Sequence, residues 1–93
     1  NHCRKKRIGT WSGGMLETGV GRAFNIHFQT LPGFEIPGDT SETSRYFDED
    51  IVDQPVVLDD NGYIDVPKGN GIGVKVNKKS LEKYCVFEEE IKI

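Results

Sequence analysis

Apolar and polar positions change their period along this chain, and the changes mark its elements. From Leu16 to Leu31, the residues Val20, Ala23, Phe24, Ile26, His27 and Leu31 recur at approximately helical spacing. That spacing predicts a helix over 16–31, with Glu17 opening it on the side its dipole prefers. Gly19 and Gly21 weaken the helix locally or let it pack closely on a neighbour. Pro32-Gly33 ends it. Residues 1–6 read as the tail of an earlier helix, with Arg4, Lys5 and Lys6 suited to its negative end and Gly9 breaking the pattern. Ile8–Trp11 and Phe34–Ile36 are short strand candidates on either side of the long helix. Asp39 and Ser41 are candidate caps for a helical turn through Tyr46 and Phe47. Strand, helix, strand and turn together predict a right-handed parallel crossover unit.

The second half has a different rhythm. Val56–Leu58 and Tyr63–Val66 flank Asp59-Asp60-Asn61-Gly62, where Asn-Gly is a strong hairpin signal. Pro67 to Gly73 reads as a glycine-rich loop whose glycines allow positive φ. Val74–Val76 reads as a brief strand. Asn77 or Ser80 would cap a short helix near Leu81–Tyr84, and Val86 to Ile93 would close as a strand. The chain divides accordingly into 1–55 and a hairpin-rich 56–93.

With 93 residues the chain is one small domain at most, and its core is limited. It has no initiator Met and starts as if mid-helix, which suggests a piece of a longer protein. The net charge of −3 does not point to nucleic acid. The basic run Arg4–Arg7 and the acidic positions Asp48, Glu49, Asp50 and Asp53 read as solvated helix ends or loops. No run of about 18 apolar residues is present, so nothing is expected to span a membrane. Cys3 and Cys85 have no metal spacing, and a reduced, cytoplasmic protein is the expectation.

Several motifs are excluded on their spacing. Around Asp59–Ile64, a calcium loop with its glycine at Gly62 would need ligands at Val57 and Lys68, both chemically wrong. Gly69-Asn70-Gly71-Ile72-Gly73 is GxGxG followed by a strand, not a dinucleotide fingerprint. Ser12 lacks the GxSxG elbow. His2 and His27 have no ligand partners, and His27 reads as a half-buried packing residue. No catalytic constellation is complete, and no metal-binding set of carboxylates is present. What remains is the stretch Trp11–Arg22, where a strand runs through Gly13 and Gly14 toward a helix. Backbone N–H groups there can meet a carboxylate or phosphate closely, with Met15 and Leu16 as the pocket wall.

Three segments in order, WSGGMLETGVGRAFNIHFQTLPGFEIPGD, SETSRYFDEDIV and NGYIDVPKGNGIGVKVN, resemble the C-terminal part of enolase-superfamily proteins. The resemblance is to the muconate-lactonizing subgroup and, within it, to the o-succinylbenzoate synthase/N-acylamino acid racemase family. It covers nearly all of residues 8–84. It implies an α/β fold: the end of a modified TIM-type barrel, with 56–93 returning to an α+β capping domain. Ile8–Trp11 would be the seventh barrel strand and Phe34–Ile36 the eighth or its equivalent.

The implied chemistry is proton abstraction next to a carboxylate, with Mg²⁺ stabilising the enediolate. The outcome is dehydration to o-succinylbenzoate, a step toward menaquinone, or racemisation of N-acylamino acids. The acid/base lysines and the metal's carboxylates lie on earlier strands, so no catalytic or metal residue is carried onto this chain. The resemblance carries over only the substrate pocket: Gly13, Gly14, Met15 and Leu16 after the seventh strand, and Tyr46 at the side-chain end. Ser12, Phe24 and Asn70 depart from the family's usual Cys, His and Pro, outside those contacts. The implied partners are a small carboxylate substrate, the rest of the barrel and cap, and further copies in a homo-oligomer. The competing expectation is a stand-alone, non-catalytic module that binds a small carboxylate or serves a structural role. Exposed faces would then drive self-association.

Overall fold

The basic N-terminal run does end a helix, α1 (His2–Lys5). The stop comes before Gly9. Arg7 takes a left-handed backbone at φ 56°. Arg7 N–H donates to Arg4 O at 3.1 Å and Ile8 N–H to Cys3 O at 2.9 Å. That paired arrangement satisfies the last carbonyls of the helix, with arginine in the place glycine usually takes. The computed structural model describes residues 1–93 throughout.

The expected strands on either side of the long helix reduce to a single parallel bridge, Thr10 to Phe34. Ile36 N–H adds a bond to Thr10 O at 3.3 Å. The long helix itself, α2, spans Gly19–Gln29 and not 16–31. Its start is fixed from a distance. The N-terminal neighbour Thr18 makes no side-chain cap. The Gly19 N–H instead donates to Asp50 Oδ1 at 2.8 Å. A buried carboxylate at the positive end of the helix satisfies a donor that the helix cannot. Glu17 therefore lies before the helix, where Oε2 accepts from Asn25 Nδ2.

The core gathers on one side of α2. Ala23, Ile26, Val52 and Val56 are buried, and so is Arg22 at 1% exposure. Arg22 Nη1 lies 3.4 Å from Thr43 Oγ1, and Thr43 in turn donates to Asp50 Oδ2 at 2.7 Å. The guanidinium stacks on Tyr46 and Phe47, at 5.3 and 5.9 Å from their ring centroids. The short 3₁₀ turn Thr43–Arg45 presents these groups. Neither Asp39 nor Ser41 caps that turn, because Asp39 is engaged by Gly14 and Ser41 donates to the Asp39 carbonyl.

Of the acidic positions, Asp48, Glu49 and Asp53 are exposed as expected, and only Asp50 leaves the solvent. Asp50 is buried in the network above, and Glu49 accepts from Ser80 and Lys83. Residues 51–53 pair antiparallel with 75–77. A bridge joins Val52 to Val76, with Asp53 N–H to Lys75 O at 2.9 Å and Asn77 N–H to Ile51 O at 2.7 Å. This pairing uses the expected Val74–Val76 strand, but with a partner that the sequence pattern did not single out.

The last helix, α3, spans Lys78–Tyr84, and the Asn77 side chain caps it by accepting from Ser80 N–H at 3.1 Å. The turn after Asp59 forms as expected. Its Oδ1 accepts from Asn61 and Tyr63 N–H, and Asp59 N–H bonds Tyr63 O at 2.9 Å. The flanking runs 56–58 and 63–66 do not extend into a ladder, and Val56 and Leu58 instead bond the 42–43 segment. Val86 to Ile93 forms no strand and lies exposed, since no neighbouring edge pairs with it. Gly69, Gly71 and Gly73 all have positive φ, as expected of that loop. No helix is long and apolar enough to cross a membrane.

Candidate functional site

The Thr10–Phe34 bridge sets two chain segments side by side, and each leaves it through a glycine-containing loop. After Trp11 the chain passes through Ser12, Gly13 and Gly14. After Ile36 it passes through Pro37, Gly38 and Asp39. The loops touch: Gly14 N–H donates to Asp39 Oδ1. Behind them Gln29, in the last turn of α2, donates to Thr40 Oγ1 at 2.9 Å and to Asn25 O at 3.1 Å. The rim is thus tied to the helix that connects its two halves.

Gly13 is exposed, and its N–H makes no hydrogen bond within the chain. Met15 and Leu16 follow with 71% and 69% of their surfaces exposed. The arrangement offers a free backbone donor beside an uncovered apolar wall. That combination suits a ligand with a carboxylate at one end and an apolar body.

Tyr46 sits elsewhere in the contact pattern. Its ring packs on Arg22 and lies 5.9 Å from the Arg45 guanidinium. No hydrogen bond or ring contact joins it to the Gly13–Leu16 loop. The structure therefore brings four of the five candidate residues together in one loop and seats the fifth on the buried arginine. His27 is the packing residue expected, with Nε2 donating to the Ile72 carbonyl at 2.9 Å.

A cavity of about 470 Å³ opens between the end of α2, the 34–40 segment and the 58–66 turn. Its walls mix Ile26, Phe34, Ile36 and Tyr63 with Gln29 and Glu35, and it holds no convergent set of charged groups. No group of three or more His, Cys, Asp or Glu is placed to hold a metal ion, so these residues do not fit a metal centre by themselves. The shifted titrations lie away from the rim. Bonds from Lys83 and then Ser80, with the Lys83 charge, hold the Glu49 carboxyl below its usual range, and Glu49 raises Lys83. Glu42 is lowered by the Leu58 N–H and then by Ser44.

Sequence reasoning missed Asp39, Arg22 and Asp50 as partners. Asp39 alone had a readable signal, since it follows a glycine just beyond a strand candidate. The other two act across 21 and 31 residues of chain.

No protein-family model matches the chain. It is 51% identical over 82 residues to an o-succinylbenzoate synthase of Bacillus subtilis, covering 88% of this chain and 22% of that protein. It is 49% identical over 81 residues to an N-succinylamino acid racemase of Thermus thermophilus, covering 87% and 22%. A solved enolase-superfamily member from Listeria innocua superposes with a TM-score of 0.84 at 46% identity, over 89% of this chain and 22% of that one. The chain spans about a fifth of the length of these relatives. In sequence and in fold it is homologous to a segment of such enzymes, and its structural neighbours are enolase-superfamily members.

Proposed function

We propose that the chain is the C-terminal segment of an enzyme that removes a proton next to a carboxylate. The reaction is dehydration to o-succinylbenzoate or racemisation of an N-acylamino acid. Homology to enzymes of both names over most of the chain carries this reading. The geometry supports a division of labour: these residues bind and orient, and the acid/base groups, with a Mg²⁺ ion that would supply positive charge beside the carboxylate, would belong to other parts of the protein. Gly13 offers its N–H to the substrate carboxylate, and Met15 and Leu16 cover the apolar body of the substrate.

The wide exposure of Phe24 (59%) and Phe28 (54%) on α2 favours a segment of something larger over a stand-alone module. In the same reading 1–55 ends a barrel, 56–93 returns to a cap, and the complete protein assembles as a homo-oligomer. The test is turnover by the complete protein with Mg²⁺, supplied with the dehydration substrate and with an N-succinylamino acid. Conversion of at least one is expected. Conversion of neither, by protein that is folded, overturns the proposal.

A further inference from the structure

The two facing loops say more about how the substrate donor is chosen, and this step rests on the reading above. Gly14 and Gly38 are both places where one backbone crowds another. A Cβ on Gly14 would lie 2.9 Å from the Asp39 carbonyl oxygen, and one on Gly38 would lie 2.9 Å from the Ser12 carbonyl oxygen. The approach is therefore reciprocal, each loop presenting its glycine to the other's backbone. The Asp39 carboxylate closes the join by accepting from Gly14 N–H. That donor is then engaged, and an anion approaching it would meet the negative charge of Asp39. The neighbouring Gly13 N–H is unengaged and exposed. Thr40, next to Asp39, is held from behind by Gln29 of α2.

We propose that Asp39 is a positioning residue: its carboxylate seats the Gly13–Gly14 turn so that Gly13, and not Gly14, presents its N–H to the substrate carboxylate. Asp39 does not touch the reacting atoms. It sets the donor's direction and keeps the second glycine from competing for the anion.

The experiment uses the complete protein with Asp39→Ala and with Asp39→Asn, which keeps an Oδ1 acceptor. Hydrogen bonds to charged groups are strong enough that losing one would raise KM about tenfold or more. Asp39→Ala is expected to do that with kcat within about twofold, and Asp39→Asn to stay near the parent in both. Hydrogen exchange at the Gly14 amide is the second readout: faster in Asp39→Ala, near parental in Asp39→Asn. Should Asp39→Ala fail to fold, Asp39→Leu, close to Asp in shape but with no acceptor, replaces it with the same expectation. An unchanged KM in Asp39→Ala overturns the proposal, as does a fall in kcat at constant KM, or Asn as damaging as Ala. If the parent protein turns over neither substrate, the functional reading has failed. The exchange measurement still decides the latch, because unchanged Gly14 exchange in Asp39→Ala overturns it without any activity.

Discussion

Residues 19–56 and 57–93 are built on opposite principles. Of the nine buried residues, all but Ser80 fall between Gly19 and Val56. That region is organised by buried polar groups beside a few apolar ones: Asp50 caps α2, Thr43 bridges, and Arg22 packs on the Tyr46 and Phe47 rings. The later region has local turns, a self-capped helix and a surface ion pair, Lys83 to Glu49 at 2.8 Å. Its order comes from short-range chemistry and from a few threads back to residues 42–53. Where polar groups are buried together, each becomes indispensable to the others. Where they remain wet, each can be lost alone.

The sharpest way to break this comparison is Asp50→Ala. It strips an acceptor from Gly19 N–H, Ile51 N–H and the Thr43 hydroxyl at once, and leaves Arg22 buried without its bridged counter-charge. A loss of about 3 kcal/mol or more is expected in urea unfolding of the complete protein. Asp50→Asn should cost less, because one acceptor survives. Next comes Gly19→Ala. The new methyl would lie 2.3 Å from Val52 Cγ2 and 2.8 Å from Asp50 Oδ2, so either the helix start or the 50–52 segment must move. Overpacking of this kind costs about 1–3 kcal/mol, read in the same unfolding experiment.

Lys83→Met tests the other side. It should loosen α3 without shifting the Asp50 network, as read by backbone NMR of 78–84 against 19–29. The pH dependence has the same source. The lowered Glu49 contributes fully above the unfolded carboxylate value, about 4.3, and fades as pH falls through its folded value. The raised Lys83 contributes fully below about 10.4 and fades as pH rises through its folded value. Docking of α3 should therefore be flat between roughly pH 5 and 10 and weaken at both ends. The smallest stability effect is expected from Met15→Ala, within about 0.5 kcal/mol because the side chain is exposed. A KM raised several-fold there, with unchanged unfolding, would separate the binding rim from the folding core. If Lys83→Met cost as much as Asp50→Ala, the contrast between the regions would collapse.

What could be read from the sequence was what neighbouring residues decide. The helical spacing of Val20, Ala23 and Ile26 located α2, the pair Asn77 or Ser80 marked the cap of α3 and Asn77 takes it, and the glycines of 69–73 announced positive φ. The turn at Gly13–Gly14 was also legible as a turn, because a glycine pair between a strand candidate and a helix is a local pattern. What escaped was set at long range. The start of α2 depends on Asp50, which looked like one more solvated acid. Arg22 occupies a polar-looking position on α2 yet is nearly inaccessible, since its partners arrive from 43–50. Val52 had no strand signature, because a single bridge to Val76 needs none.

The mutual crowding of Gly14 and Gly38 also bears on how this rim can be inherited or rebuilt. Neither loop is an independent module, because the shape of each is written partly in the backbone of the other. A loop exchanged with a relative that spaces the pair differently would arrive without its counterpart. Recombination or engineering at this site should therefore move residues 12–14 and 37–39 together, as a single part made of two distant pieces of chain.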